Sequence, residues 1–424
     1  MLKMTRRTAL LLAASIITLS SAASAQESSS EVWTYWGSGA EKQAIESVVA
    51  LDNQKHPDTE VTHRVIPGNT LEMRRQLQTA LLGGTPPTAY QSAMGYELKT
   101  FVDADQLASI DSVWKQVKGD EIFPRGLQRV VKIDGKPYAI PLNMGVISNV
   151  FYRKDVFDKL GLQPPKTIAE FDAVCDKLAA AGIAPLGNAS GPFWSMYNFY
   201  APLLSVLGPD GYFKMAQGEV SFTSPEIRKA FELYRDTFVK HYSKNWSGKT
   251  WAQGGDDLVN KDVGMYMMGD WVSAYMKERG LQPGKDYDFF PAPGIGKATL
   301  IQVDVIATPK ESKTSDNFLL TAASTEAQAS FNKYKGSIAA NLKTDPSIYD
   351  YVGQKEVKQL QASEAENVVL PNLFFLLPTN LGSEMGNQLE RFASDPSDAT
   401  LDTVLKTLEA LRLQDKEDDA FVNW

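Results

Sequence analysis

The alternation that begins at Glu31 limits the fold more than any other feature of the chain. "EVWTYW" has strand character and "GSG" is a tight turn. "AEKQAIESVVALDNQK" then sets Ala44, Ile45, Val48, Val49 and Leu51 at helical spacing before Pro57 stops it. "TEVTHRVI" is a second strand, and "TLEMRRQLQTALLGG" a second helix closed by two glycines. Strand and helix alternating at this pace predict an α/β fold, a parallel sheet covered by helices. The pattern returns downstream. "GKPYAIPLN" and "NVFYRKDVF" read as extended runs. "KTIAEFDAVCDKLAAAG" opens with a capping box of Thr167 and Glu170, and "SPEIRKAFELYRDTF" with Ser224 as cap and Pro225 at the first helical position. "ATLDTVLKTLEALRL" carries Leu401, Val404, Leu405, Leu408 and Leu411 on one face, and the closing "LQDKEDDAFVNW" reads as a solvated tail.

At 424 residues the chain is longer than one core usually serves, so two domains are expected. No Pro/Gly-rich spacer divides it near the middle, which fits a chain that crosses between two lobes more than once. The first 25 residues, "MLKMTRRTALLLAASIITLSSAASA", have Lys3, Arg6 and Arg7 ahead of a short apolar run and end on Ala23-Ser24-Ala25. That is the pattern of a signal peptide cleaved after Ala25, and the apolar run is shorter than the ~20 residues that span a bilayer. No other stretch is long and apolar enough to cross a membrane, so an exported, soluble product without direct membrane insertion is expected. Losing the leader takes three positive charges and leaves a net charge of about −11. Such an acidic surface argues against nucleic acid or anionic lipid as a partner. The single cysteine, Cys175, makes no internal disulfide and shares a helical face with Phe171 and Leu178, a core position.

Several chemistries lack their residues. His56, His63 and His241 lie far apart without metal-ligand spacing, and there is neither a G-x-S-x-G elbow nor a P-loop. No metal and no cofactor is expected. Gly37-Ser38-Gly39 leaves amide donors at a helix start but is too short for a dinucleotide fingerprint. Acidic neighbours such as Asp256 and Asp257 are ordinary at a helix start.

What the sequence does offer is aromatic rings at the ends of elements, beside polar groups. Tyr35 and Trp36 end a strand, with Glu41 one helical turn on. Phe193 and Trp194 lie in "GNASGPFWSMYNFY", and Trp246 and Trp251 in "KNWSGKTWAQGG". In "DVGMYMMGDW" an apolar strand runs into Asp270 and Trp271 with only Gly269 between. Each indole could simply cap a core. As a set they suit a crevice at strand ends, where an aromatic face beside carboxylate and amide groups matches the C–H patches and hydroxyls of a sugar.

"VWTYWGSGAEKQAIESVV", "YRKDVFDKLGLQPPKTIAEFDAVCDKLAAAGIAPLG", "FTSPEIRKAFELY", "KDVGMYMMGDWVSAYMKERGLQPGKDYDFFPAPG" and "FNKYKGSIAA" resemble, in order, the extracellular solute-binding family of carbohydrate ABC importers, which includes the maltose- and glucose-binding proteins. The resemblance implies a two-lobed periplasmic binding protein fold of type II, with a hinge crossed more than once. It places one lobe at residues 26–142 plus 298–345 and the other at 143–297 plus 346–424. It implies a monomeric, non-enzymatic receptor that binds a mono- or oligosaccharide between the lobes and hands it to the membrane permease subunits of an importer. By the same resemblance Trp271 stacks on the sugar, Tyr35 and Trp36 take the place of a Trp-Trp pair, and Glu41, Asp304 and Lys335 are polar contacts. Trp194 or Phe193 falls near a further aromatic. The full set of expected ligand-binding residues is Tyr35, Trp36, Glu41, Trp194, Trp251, Asp270, Trp271, Asp304, Lys335 and Phe375. Two positions depart from the glucose-type pattern: Phe375 stands where a histidine is usual, and Ala93 or Met94 where a lysine is. Losing two polar donors implies a sugar other than plain glucose, since a buried hydroxyl without its partner costs ~1–3 kcal/mol. Two alternatives share the exported aromatic cleft: a secreted carbohydrate-active hydrolase, which needs a converging pair of carboxylates, and a binding protein for a peptide or sulfonate.

Overall fold

A computed structural model describes residues 30–68 and 70–424; the expected signal peptide lies outside them. Two sheets, each covered by helices, are joined by a third, connecting sheet. The first sheet is built as the opening alternation requires. Glu31–Thr34 pairs in parallel with Thr62–Val65 on one side and Ala89–Ala93 on the other, with Trp33 opposite Arg64 and Tyr90. The helices Gly39–Lys55 and Thr70–Leu82 make the crossovers. The sheet is not parallel throughout. Asp304–Ala307 runs antiparallel between Ala89–Ala93 and Ala139–Pro141, because the chain re-enters this lobe from the connecting sheet rather than over a helix.

The second sheet has the order Tyr287–Pro291, Asn149–Arg153, Val263–Met267, Ala184–Gly187. Its central strand "VGMYM" is buried at every position, as a strand covered on both faces must be, which explains its unbroken apolar run. The connecting sheet carries Ile338–Ala339, Asn143–Val146, Thr299–Gln302 and Val369–Pro371. Its strands come from four distant parts of the chain, so the chain passes through it more than once. Among the described residues no helix is long and apolar enough to cross a membrane.

Local signals hold where they concern helix starts. Thr167 Oγ1 accepts from the Glu170 amide at 3.2 Å while the Glu170 carboxylate accepts from the Thr167 amide at 3.2 Å. Ser224 caps Ile227 at 3.3 Å. Cys175 is buried beside Phe171 and Leu178, and burial pushes its thiol well up. Two expectations fail. "NVFYRKDVF" is extended only to Arg153, and Lys154–Leu160 is helical. Arg153 fixes the change of direction by clamping Asp155 at 2.9 Å and the Val259 carbonyl at 2.6 Å. The closing segment is not a free tail either. After the helix Asp398–Glu417, Tyr96 donates to the Ala420 carbonyl, the Trp424 indole N–H donates to the Leu376 carbonyl at 2.8 Å, and the rings of Tyr96 and Trp424 meet at 5.4 Å.

Candidate functional site

On the first lobe the site grows from the end of the strand Glu31–Thr34 and the start of the helix that follows. Tyr35 and Trp36 occupy the turn, where the Tyr35 amide donates to Gln91 Oε1 at 3.1 Å and the Trp36 amide to Thr34 Oγ1 at 3.2 Å. The Trp36 indole is 1% exposed and packs on Phe331 at 5.2 Å. Phe331 belongs to the helix Thr325–Lys335, which ends in Gly336 at a φ of 81°, a conformation that suits glycine. Lys335 is the last residue of that helix, and its ammonium pairs with Glu41 in the first turn of Gly39–Lys55. Asp304 starts the returning strand. Its carboxylate accepts from Gln91 Nε2 at 3.3 Å and Asn143 Nδ2 at 3.0 Å, so one amide side chain, Gln91, ties Tyr35 and Asp304 together.

The second lobe contributes the end of Val263–Met267. Asp270 Oδ2 accepts from the Val146 amide at 3.0 Å, the Asp270 amide donates back to the Val146 carbonyl at 3.0 Å, and Oδ1 accepts from the Ser337 hydroxyl at 2.9 Å. The carboxylate therefore pins the strand end to two connecting segments. A Cβ on Gly269 would lie 2.1 Å from the Trp271 ring, so only glycine lets the indole fold back at this turn. Trp271 begins the helix Trp271–Glu278 and is 9% exposed. Its ring contacts Trp194 at 6.1 Å and Tyr197 at 6.4 Å.

The two lobes meet at Lys335. Its ammonium, 5% exposed, lies 5.5 Å from the Trp36 ring and 5.4 Å from the Trp271 ring, which bounds the gap between the two indoles at roughly 11 Å. Burial alone would lower the Lys335 pKa; Glu41, Asp304 and Asp270 reverse this and hold it above its ordinary value. Burial pushes Asp270 up to about 7 against the pull of the Val146 amide, Ser337 and Lys335. Asp304 is likewise raised by burial, with Lys335 and Asn143 acting in the opposite sense.

Seven of the expected residues thus share one locus: Tyr35, Trp36, Glu41, Asp304 and Lys335 from the first lobe, Trp194 and Trp271 from the second. Asp270 adjoins them, with both its oxygens already engaged in structure. Phe375 stands a row behind, its ring on Phe193 at 5.6 Å, and Phe193 on Trp194 at 4.7 Å. Trp251 is not drawn in: it starts another helix and its ring packs on Tyr275 at 5.2 Å. Gln91, Asn143 and Tyr197 were not anticipated. Tyr197 follows Phe193 by four residues and Trp194 by three, so helical spacing alone would have put all three on one face. Among the described residues no group of three or more His, Cys, Asp or Glu side chains could hold a metal ion. A cavity of about 230 Å³ lies elsewhere, lined by Pro124, Met144, Tyr349 and Leu360, and none of the residues assembled at Lys335 borders it.

Comparison with known proteins adds three kinds of likeness. The family model described as bacterial extracellular solute-binding protein matches residues 36–332. An uncharacterised ABC transporter extracellular-binding protein of Pyrococcus horikoshii is 29% identical over 343 residues, covering 79% of this chain and 77% of that protein. A probable sugar-binding periplasmic protein of Brucella melitensis is 27% identical over 359 residues, covering 83% and 84%. Among solved structures, the bacterial solute receptor AcbH, described as exclusively preferring β-D-galactopyranose, superposes with a TM-score of 0.81 at 24% identity over 91% of this chain and 98% of that one. A chitin oligosaccharide binding protein does so at 0.79 and 18%, over 92% and 99%. These superpositions establish the two-lobed fold.

Proposed function

The chain belongs to the bacterial extracellular solute-binding protein family, and on that premise we propose that it is an exported, periplasmic receptor that holds a mono- or oligosaccharide between its lobes and delivers it, unaltered, to the permease of an ABC importer. The observation that carries this reading is the Lys335 ammonium set between two indoles from opposite lobes. Indole faces suit the C–H patches of a sugar, while Glu41, Asp304 and Lys335 supply charge-assisted hydrogen bonds to its hydroxyls. A ligand draws two lobes together only if it binds the closed state better, so it must touch both. Trp36, Glu41 and Lys335 on one side and Trp194 and Trp271 on the other meet that condition. The sugar-binding names of the Brucella relative and of AcbH favour the same class.

The lobes in this reading comprise residues 26–142 plus 298–345 and 143–297 plus 346–424, the protein is a monomer, and neither metal nor cofactor takes part. Phe375 and the buried pair Ala93 and Met94 offer no polar donor, so the sugar is one other than plain glucose. A thermal-shift screen of the whole mature protein against sugars, galactose included, with peptides and sulfonates alongside, tests the class. A solute at a hundred times its dissociation constant stabilises the folded state by ~2.7 kcal/mol, and that shift is expected from a sugar. Stabilisation by peptides or sulfonates alone would contradict the proposal.

A further inference from the structure

Three tyrosines on the helix Pro192–Ala216 are fully buried, and their hydroxyls do not fare alike. Tyr200 donates to Asn372 Oδ1, and Tyr212 donates to the Pro371 carbonyl at 2.8 Å. Tyr197, 0% exposed, has no hydrogen-bond partner for its hydroxyl among the described residues. Its ring is wedged edge-on between Phe193 at 5.5 Å, Trp194 at 5.7 Å and Trp271 at 6.4 Å, on the second-lobe wall of the site. A buried hydroxyl without a partner is costly, and such groups in native proteins call for an explanation.

We infer that the Tyr197 hydroxyl is a specificity-determining contact, hydrogen-bonding one hydroxyl of the sugar held between Trp36 and Trp271. The inference rests on the sugar-receptor reading and deepens it. Of the second-lobe rings at the site, Trp194 and Trp271 offer faces and an indole N–H, which can only donate; a phenol can both donate and accept. Burial, with Tyr200, Asp304, Tyr35 and Asp270 close by, holds the Tyr197 phenol far above its ordinary pKa, so it stays protonated and able to donate. Asp304 of the first lobe and Asp270 of the second lie near enough to act on the phenol electrostatically, so a sugar hydroxyl bound to it would lie beside both lobes. A hydroxyl that is idle in the free protein and engaged in the complex adds to the differential affinity that closes the lobes.

Calorimetric titration of wild type and Tyr197→Phe with the sugar found in the screen, and with its monodeoxy analogues, tests the assignment. The variant is expected to bind the parent sugar about tenfold more weakly, yet to match wild type for the one analogue that lacks the partnering hydroxyl. Its melting temperature without sugar should be unchanged or higher, because an idle buried hydroxyl has been removed. Equal affinity of variant and wild type for the parent sugar overturns the assignment alone. So does an equal loss for every analogue with a lowered melting temperature, which marks a packing role. A wild-type protein that binds no sugar overturns the receptor reading and this assignment with it.

Discussion

Asp270 is fully buried, and burial pushes its carboxyl up to about 7 although Val146 and Ser337 donate to it. Burial also raises Asp304 and, well above its ordinary value, Glu356, whose Oε2 has no partner among the described residues. A carboxyl raised in the folded state keeps its proton where the unfolded chain has lost it. Stability therefore falls as pH rises from about 4, and the share that comes from Asp270 is lost by the time pH passes about 7. The ligand-free protein is expected to melt higher at about pH 5 than at about pH 8, with Asp270→Asn flattening that dependence; a melting temperature that climbs across this window would contradict the assignment. At this scale the site was partly legible. Trp36, Glu41 and Trp271 sit at element ends, where a side chain's surroundings follow from its position, whereas Lys335 was named only through the family resemblance. Tyr197 was not, because Tyr197, Tyr200 and Tyr212 look alike in the sequence, and only the packed neighbours decide which hydroxyl is left without a partner.

The turn after Val263–Met267 joins an element's geometry to the site. Gly269 lets the indole of Trp271 fold back onto the backbone, and Gly145 on the facing strand leaves 3.3 Å between a would-be Cβ and the same ring. Gly269→Ala must displace the indole. Sugar affinity should fall by about tenfold or more and the melting temperature should drop through an overpacking cost of ~1–3 kcal/mol, read by calorimetry and thermal melts. Full affinity in that variant would show that the ring's position does not matter to the ligand. Elements were legible where their signals are local: the Thr167 and Ser224 caps depend on residues within one turn. The helix Lys154–Leu160 was hidden because its start is set by Arg153 reaching the Val259 carbonyl, 106 residues away. The docked carboxyl end was hidden likewise, since its anchors Tyr96 and Leu376 lie far from Ala420 and Trp424 in sequence.

For the whole molecule, repeated passage of the chain through the connecting sheet sets two lobes against each other across one seam. Residues of the two lobes touch across that seam. Glu278 of the second lobe accepts from the Ala40 amide at the start of the first lobe's opening helix at 3.0 Å, an anion where a helix N-terminus favours one. A Cβ on Gly336 would come within 2.9 Å of Ala274 across the same seam. The glycine turn at Gly37-Ser38-Gly39, too short for a nucleotide, thus leads into a helix start whose Ala40 amide meets the opposite lobe. That two lobes existed was legible from length and from the missing linker; how they meet depends on contacts between residues hundreds of positions apart. Whether one solute is gripped by indoles from both lobes is decided by calorimetric titration of Trp271→Ala with the sugar. Affinity should be at least about tenfold weaker than wild type, with the ligand-free protein still folded. Unchanged affinity in that variant would contradict it.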